Sequence, residues 1–106
     1  MDRYNLPGGL LADVKNQLDI TWDDEATDKK ISGLIAAGAA YLDGKLGAEA
    51  DYTLDGMPRT LLMEYVRYAR DSALDVFEGN YLPMLLSMQH DKAVDNYVAK
   101  TVPSQD

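Results

Sequence analysis

Apolar residues recur at three- and four-residue intervals along most of the chain, the spacing that gathers side chains on one face of an α-helix. After Pro7-Gly8-Gly9, residues Leu10, Leu11, Val14 and Leu18 form the first stripe. The spacing predicts a short helix ending near Asp19, with Ile20-Thr21-Trp22 as a connector. A longer stripe follows in Ile31, Leu34, Ile35, Gly38, Tyr41, Leu42 and Leu46. Asp23-Asp24-Glu25 marks its start, because acids there cap free amides and complement the positive end of the helix dipole. Gly47 is a natural stop. The middle of this helix (Gly33, Ala36, Ala37, Gly38, Ala39, Ala40) is small-sided enough for another helix to approach closely.

Residues 48–57, with Asp55-Gly56, carry turn chemistry. Pro58 then opens a third predicted helix, where proline is welcome, with Leu61, Leu62, Tyr65, Val66, Ala69, Ala73, Val76 and Phe77 in its stripe. Glu78-Gly79-Asn80 is expected to interrupt it. A fourth segment starts around Tyr81, with Pro83 in its first turn and Leu82, Leu85, Leu86, Ala93, Val94, Tyr97 and Val98 at helical spacing. Gln89-His90-Asp91-Lys92 breaks that stripe with polar residues, and the last residues are expected to fray. No strand-like alternation of convincing length occurs. The predicted fold class is all-α, a small bundle of about four helices with a C-terminal helical extension. The expected division is a helical core over 1–80 and a partner-binding helix and tail over 81–106.

Length and charge narrow the function classes. A chain of 106 residues holds one core and one domain. It carries 18 acids against 10 Lys and Arg, a formal charge of −8. The excess is spread: ten acids and five bases over residues 1–53, eight and five over 54–106. Nucleic-acid binding draws its affinity from cations on phosphates, and this chain has no basic run. The same sign repels an anionic membrane surface. There is no cysteine, so disulfides and thiolate metal sites are excluded. No apolar run approaches the roughly 20 residues of a membrane span, and Met1-Asp2-Arg3-Tyr4-Asn5 does not open like a signal peptide. The expected location is the cytoplasm in which the chain is made.

Candidate chemistry is sparse. His90 is the sole histidine and stands in a polar stretch with no nucleophile or orienting acid assigned to it. Asp23, Asp24, Glu25 and Asp28 lack the alternating ligands, glycine and distal Glu of a calcium loop, and helix capping explains them more economically. No phosphate-binding glycine loop or nucleophile elbow occurs. No catalytic, cofactor or metal residue is therefore named, and the chain is expected not to be an enzyme. On the third helix, Arg59, Arg67 and Arg70 lie beside Glu64, Asp71 and Asp75. Arg67 and Asp71 are spaced for an exposed ion pair, and an ion-pair face between subunits is the sharper alternative to a solvated one. Tyr41, Tyr65 and Tyr68 are expected in the core, while Tyr81 and Tyr97 fall in the last segment, where large amphipathic rings suit a protein contact.

The stretch from Leu11 to Ile20, the acidic turn and Lys29-Lys30-Ile31, and then Leu34-Ile35-Ala36-Ala37-Gly38-Ala39-Ala40-Tyr41-Leu42 resemble the gp6-like head–tail connector proteins of tailed phages and prophages. In that family a short helix with a V-K-x-x-L-x-I ending is followed by an acidic turn, a long alanine-rich helix, a loop and a third helix. The resemblance covers roughly residues 10–80 in order and spacing. It implies a small helical bundle arranged with about a dozen copies as a homo-oligomeric ring below the portal protein. Such a ring extends the DNA channel without binding DNA specifically, docks a tail-side completion protein, and resides at the head–tail junction of the virion. It implies no cofactor and no membrane. A closed ring needs two different complementary surfaces on each subunit. The residues expected to build them, or to meet a partner, are Gly38, Arg59, Arg67, Arg70, Leu85, Leu86, Tyr97 and Val98. The competing expectations are a small acidic adaptor or inhibitor binding a single protein partner and, further off, a helix-turn-helix DNA binder, whose recognition helix would carry Arg, Lys, Asn or Gln where this one is alanine- and glycine-rich.

Overall fold

A computed structural model describes residues 6–101, and the side chains of residues 6–91. Among the described residues the chain forms four helices and no strand: α1 (Leu10–Gln17), α2 (Glu25–Leu46), α3 (Met57–Arg70) and α4 (Leu74–Thr101). The expected all-α bundle is what forms. α1 gives Leu10 and Val14 to a single core, α2 gives Ile31, Ile35, Ala39 and Leu42, and α3 gives Leu61, Leu62, Tyr65 and Val66. Phe77, Leu85 and Met88 of α4 complete it, with Ile20 and Tyr52 folding in from the connectors.

Helix starts and stops follow local chemistry. Asp24 caps α2, its carboxylate accepting the Thr27 backbone N–H at 2.9 Å. At the other end Gly47 takes φ 81°, and its N–H donates to the Asp43 carbonyl at 2.8 Å. α1 and α3 end without a glycine, in the same hydrogen-bonded motif. The Ile20 N–H reaches back to the Lys15 carbonyl (2.9 Å) and the Asp19 N–H to Asn16 (3.2 Å). After α3, the Ala73 N–H reaches Tyr68 (2.8 Å) and the Ser72 N–H reaches Ala69 (3.0 Å). Both are Schellman closures, and the left-handed position is filled by Asp19 (φ 60°) and Ser72 (φ 57°).

That second closure corrects the expected boundary between the last two helices. The chain turns at Asp71-Ser72-Ala73, so Val76 and Phe77 belong to α4. No helix end falls at Glu78-Gly79-Asn80, and α4 runs unbroken across residues 80 and 81, where the core and extension were expected to divide. Pro83 lies inside α4 and not in a first turn. A helical glycine costs about 1 kcal/mol relative to alanine. Continuing through Gly79 nevertheless lets one rigid element seat Phe77, Leu85 and Met88 together, and burying such side chains is worth about 1.5–3 kcal/mol each.

The crossing of α2 and α3 is set at Gly38. A Cβ there would lie 2.6 Å from Cδ1 of Tyr65 and 2.8 Å from Cδ1 of Leu62. The absent side chain is what lets α3 sit against the α2 backbone. Beside the crossing, the rings of Tyr41, Tyr65 and Phe77 meet at centroid distances of 5.5–6.3 Å. Tyr68 and Tyr81 extend the cluster, Phe77 stacking on Tyr81 at 5.2 Å. Tyr81, expected on a partner surface, thus belongs to the chain's own aromatic cluster.

Two substitutions in one helix separate packing from propensity. Gly38→Ala should destabilise the fold by about 1–2 kcal/mol in urea unfolding, because overpacking outweighs the gain in helix propensity. Gly44→Ala, whose Cβ would meet nothing within 4 Å, should stabilise it by up to about 1 kcal/mol. Ser72→Gly removes the left-handed strain at the α3–α4 turn and should add about 1 kcal/mol by the same measurement.

Candidate functional site

The polar side chains that approach the core form clamps between helices. Lys15 of α1 is almost wholly buried, and its Nζ lies 2.8 Å from Asp28 of α2 and 3.3 Å from Asp23 of the connector. The hydrogen bond to Asp28, assisted by Asp23, outweighs burial and raises the ammonium above the usual lysine value. The acidic run is thereby accounted for residue by residue. Asp24 caps α2, Asp23 and Asp28 hold Lys15, and Glu25 pairs with Lys29 at 3.8 Å.

A second clamp ties the 48–56 loop to α2. The buried Tyr52 ring places its hydroxyl 2.6 Å from Asp43 Oδ1 and 3.3 Å from the Ala39 carbonyl. The Ala50 N–H donates to the same carboxylate at 3.1 Å. Burial first, and the Asp43 carboxylate second, push the Tyr52 phenol well above its ordinary pKa. Tyr41 is built alike, donating to Glu78 of α4 at 2.9 Å, and burial and that carboxylate push it up to about 12. Arg59 joins α3 to two further elements, donating to Asp13 of α1 and to the Tyr52 carbonyl, both at 2.9 Å.

These contacts reassign several residues expected at an interface. Gly38 is buried in the α2–α3 crossing, and Leu85 is buried in the core at 2% exposure, so both are used inside the chain's own fold. Arg59 is engaged within the chain. Arg67 and Arg70 are exposed and make no ion pair among the described residues, and the expected Arg67–Asp71 pair does not form because Asp71 closes α3 as its C-cap. The two arginines line a cleft of about 180 Å³ with Gln17, Leu18, Asp19 and Asp71. Leu86 is 54% exposed on α4. Tyr97 and Val98 fall within α4, and their side chains lie outside the described residues.

Sequence reasoning missed Lys15, Tyr52 and the Arg59 clamp. Tyr52 had a signal, a large ring in an otherwise polar loop, which must find cover somewhere. Lys15 had a weaker one, standing beside Val14 at the edge of the first stripe. Among the described residues no group of three or more His, Asp or Glu is arranged to hold a metal ion. No helix among them is long and apolar enough to cross a membrane. What these side chains do is fasten α1, the loop and α4 onto the α2–α3 pair. A cleft of about 130 Å³ is lined by Tyr41, Tyr65, Leu74, Phe77 and Glu78. The chain matches no known protein family, no curated protein and no solved structure.

The buried phenols and Lys15 set the alkaline limit of the fold. Folding favours charged Lys15, so its contribution is present below the ordinary lysine value and is lost as pH rises through its raised pKa. Folding favours neutral Tyr41, so that contribution is complete below pH 10.0 and is lost between there and about 12. Melting temperature should therefore fall steadily above pH 10, and Tyr41→Phe should shallow the fall. Tyrosinate absorbance should rise in stages, with Tyr52 ionising only as the fold opens.

Proposed function

We propose that the chain is a head–tail connector subunit of a tailed phage or prophage. In this reading it is a structural protein whose copies, about a dozen, close into a ring below the portal protein. The ring lengthens the DNA channel and offers the tail-side completion protein a docking surface. The observation that carries the reading is the succession of elements over residues 10–80. A short α1 is followed by an acidic turn, a long alanine-rich α2, a loop, and an α3 seated on the small-sided stretch of α2. This is the order in which the sequence resembles connector proteins.

Electrostatics support it. A subunit of formal charge −8 gives passing DNA no cationic grip, which suits a conduit and not a binder. The acids also serve the fold, in the Lys15, Asp43 and Asp24 contacts, so acidity here needs no DNA-mimicking face to explain it. Leu82 (47% exposed) and Leu86 remain uncovered on α4, as a surface awaiting a partner would be.

The mass of the purified chain, measured by light scattering and native mass spectrometry with and without an assembled portal ring, tests the proposal. A closed species of about a dozen chains, alone or on the portal, is the expected result. No gain in mass in the presence of portal would overturn it in favour of an acidic adaptor that binds one protein partner.

A further inference from the structure

The dipeptide Asp-Gly occurs twice in the chain, at Asp43-Gly44 and at Asp55-Gly56, each time after a leucine. Aspartate before glycine is a chemically weak point, because glycine has no side chain to keep its backbone nitrogen away from the aspartate carboxyl carbon. The local sequence is alike at both places. The fold treats them differently.

Asp43-Gly44 lies inside α2. The Gly44 N–H belongs to the helix ladder, and the Asp43 carboxylate accepts the Tyr52 hydroxyl at 2.6 Å and the Ala50 N–H at 3.1 Å. Nitrogen and carboxyl are both held. Asp55-Gly56 lies in the loop just ahead of α3, and the Asp55 side chain is fully exposed. Its one ion pair among the described residues, to Arg59 Nε at 3.9 Å, is a surface contact that fixes a side chain weakly. Thr60 holds the Gly56 carbonyl, its N–H and its hydroxyl both donating at 3.1 Å, but no hydrogen bond among the described residues uses the Gly56 N–H. Both residues border an open cleft of about 390 Å³, so water reaches them. Asp71-Ser72 has the next smallest follower, and there the Ser72 N–H is engaged, donating to the Ala69 carbonyl at 3.0 Å.

We infer that Asp55-Gly56 is a site of spontaneous backbone modification, where the folded chain converts aspartate to isoaspartate while Asp43-Gly44 is protected. The Gly56 nitrogen attacks the Asp55 side-chain carboxyl carbon. A C–N bond forms, a C–O bond breaks, and the oxygen leaves as water with the amide proton and one proton from solvent. Water then opens the cyclic imide at either carbonyl. Opening at the side-chain carbonyl restores aspartate. Opening at the main-chain carbonyl leaves the backbone running through Cβ and Cγ, one methylene longer and unchanged in mass. That methylene falls between two fixed points, because Tyr52 is pinned on Asp43 and Arg59 holds both the Tyr52 carbonyl and Asp13. The added length is taken up within residues 53–56, at the N-cap of α3, so conversion loosens the seating of that helix. Nothing in this chemistry depends on the ring proposed above.

The full chain incubated for weeks, folded in buffer and unfolded in urea, supplies the test. Trypsin cuts after Lys30, Lys45 and Arg59, which puts the two dipeptides in separate peptides, 31–45 and 46–59. Fragmentation that distinguishes isoaspartate then reads each one. In urea both should convert at similar rates, which sets the clock. In the folded chain isoaspartate should accumulate at Asp55 and stay absent from Asp43. Asp55→Glu should remove the signal, since its imide ring is one atom larger and closes less readily. The aged folded chain should melt at a lower temperature than fresh protein, and equal melting would overturn the effect on α3. A folded chain with no isoaspartate at Asp55 once the unfolded chain has converted, or with equal conversion at Asp43, would overturn the site itself.

Discussion

Everything in this fold hangs on how closely α3 can approach α2, and Gly38 sets that distance. With no side chain in the way, Tyr65 and Leu62 lie directly on the α2 backbone. Seated there, Tyr65 meets Tyr41 and Phe77, and through Phe77 the packing reaches Tyr68, Tyr81 and so the whole proximal half of α4. A core this small has few side chains to spread strain over, and close-packed interiors do not absorb a displaced ring locally. One missing methyl group thus positions three helices.

Around that pair, the polar contacts act as fasteners. Lys15 holds α1 to the start of α2, Arg59 holds it to α3, Tyr52 pins the loop, and Tyr41 and Glu78 join α2 to α4. Each links elements that apolar burial has already brought together, and each satisfies a polar group that burial would otherwise penalise. An acidic chain gains doubly, since all four of these contacts place a carboxylate where a donor needs it.

The sequence made the helical period, the α1 and α2 boundaries and most of the core legible, because repeated apolar spacing and an Asp cap are local signals. It misplaced the α3–α4 turn for an equally local reason. Glycine and proline punctuate most chains, and Glu78-Gly79-Asn80 with Pro83 looks like a break, whereas the true turn uses Asp71-Ser72, a weaker turn signal than glycine or proline. Tertiary packing of Phe77 on Tyr41 and Tyr65 decided the matter, and no local window of sequence contains those contacts. The interface residues fared according to the same rule. Leu86 stays half exposed, whereas Leu85, one position before it, is buried in a core that only the folded bundle reveals.

Pro83 gives α4 a property beyond its shape. Proline has no N–H to offer the Gly79 carbonyl, so the hydrogen-bond ladder of the helix has a missing rung just past the residues seated on the aromatic cluster. The gap falls inside the stretch that seats the core, with Phe77 before it and Leu85 and Met88 after it. Burial on both sides, and not an unbroken ladder, therefore holds the two halves of α4 in line, and the missing rung leaves a point at which the helix axis can bend to fit the core.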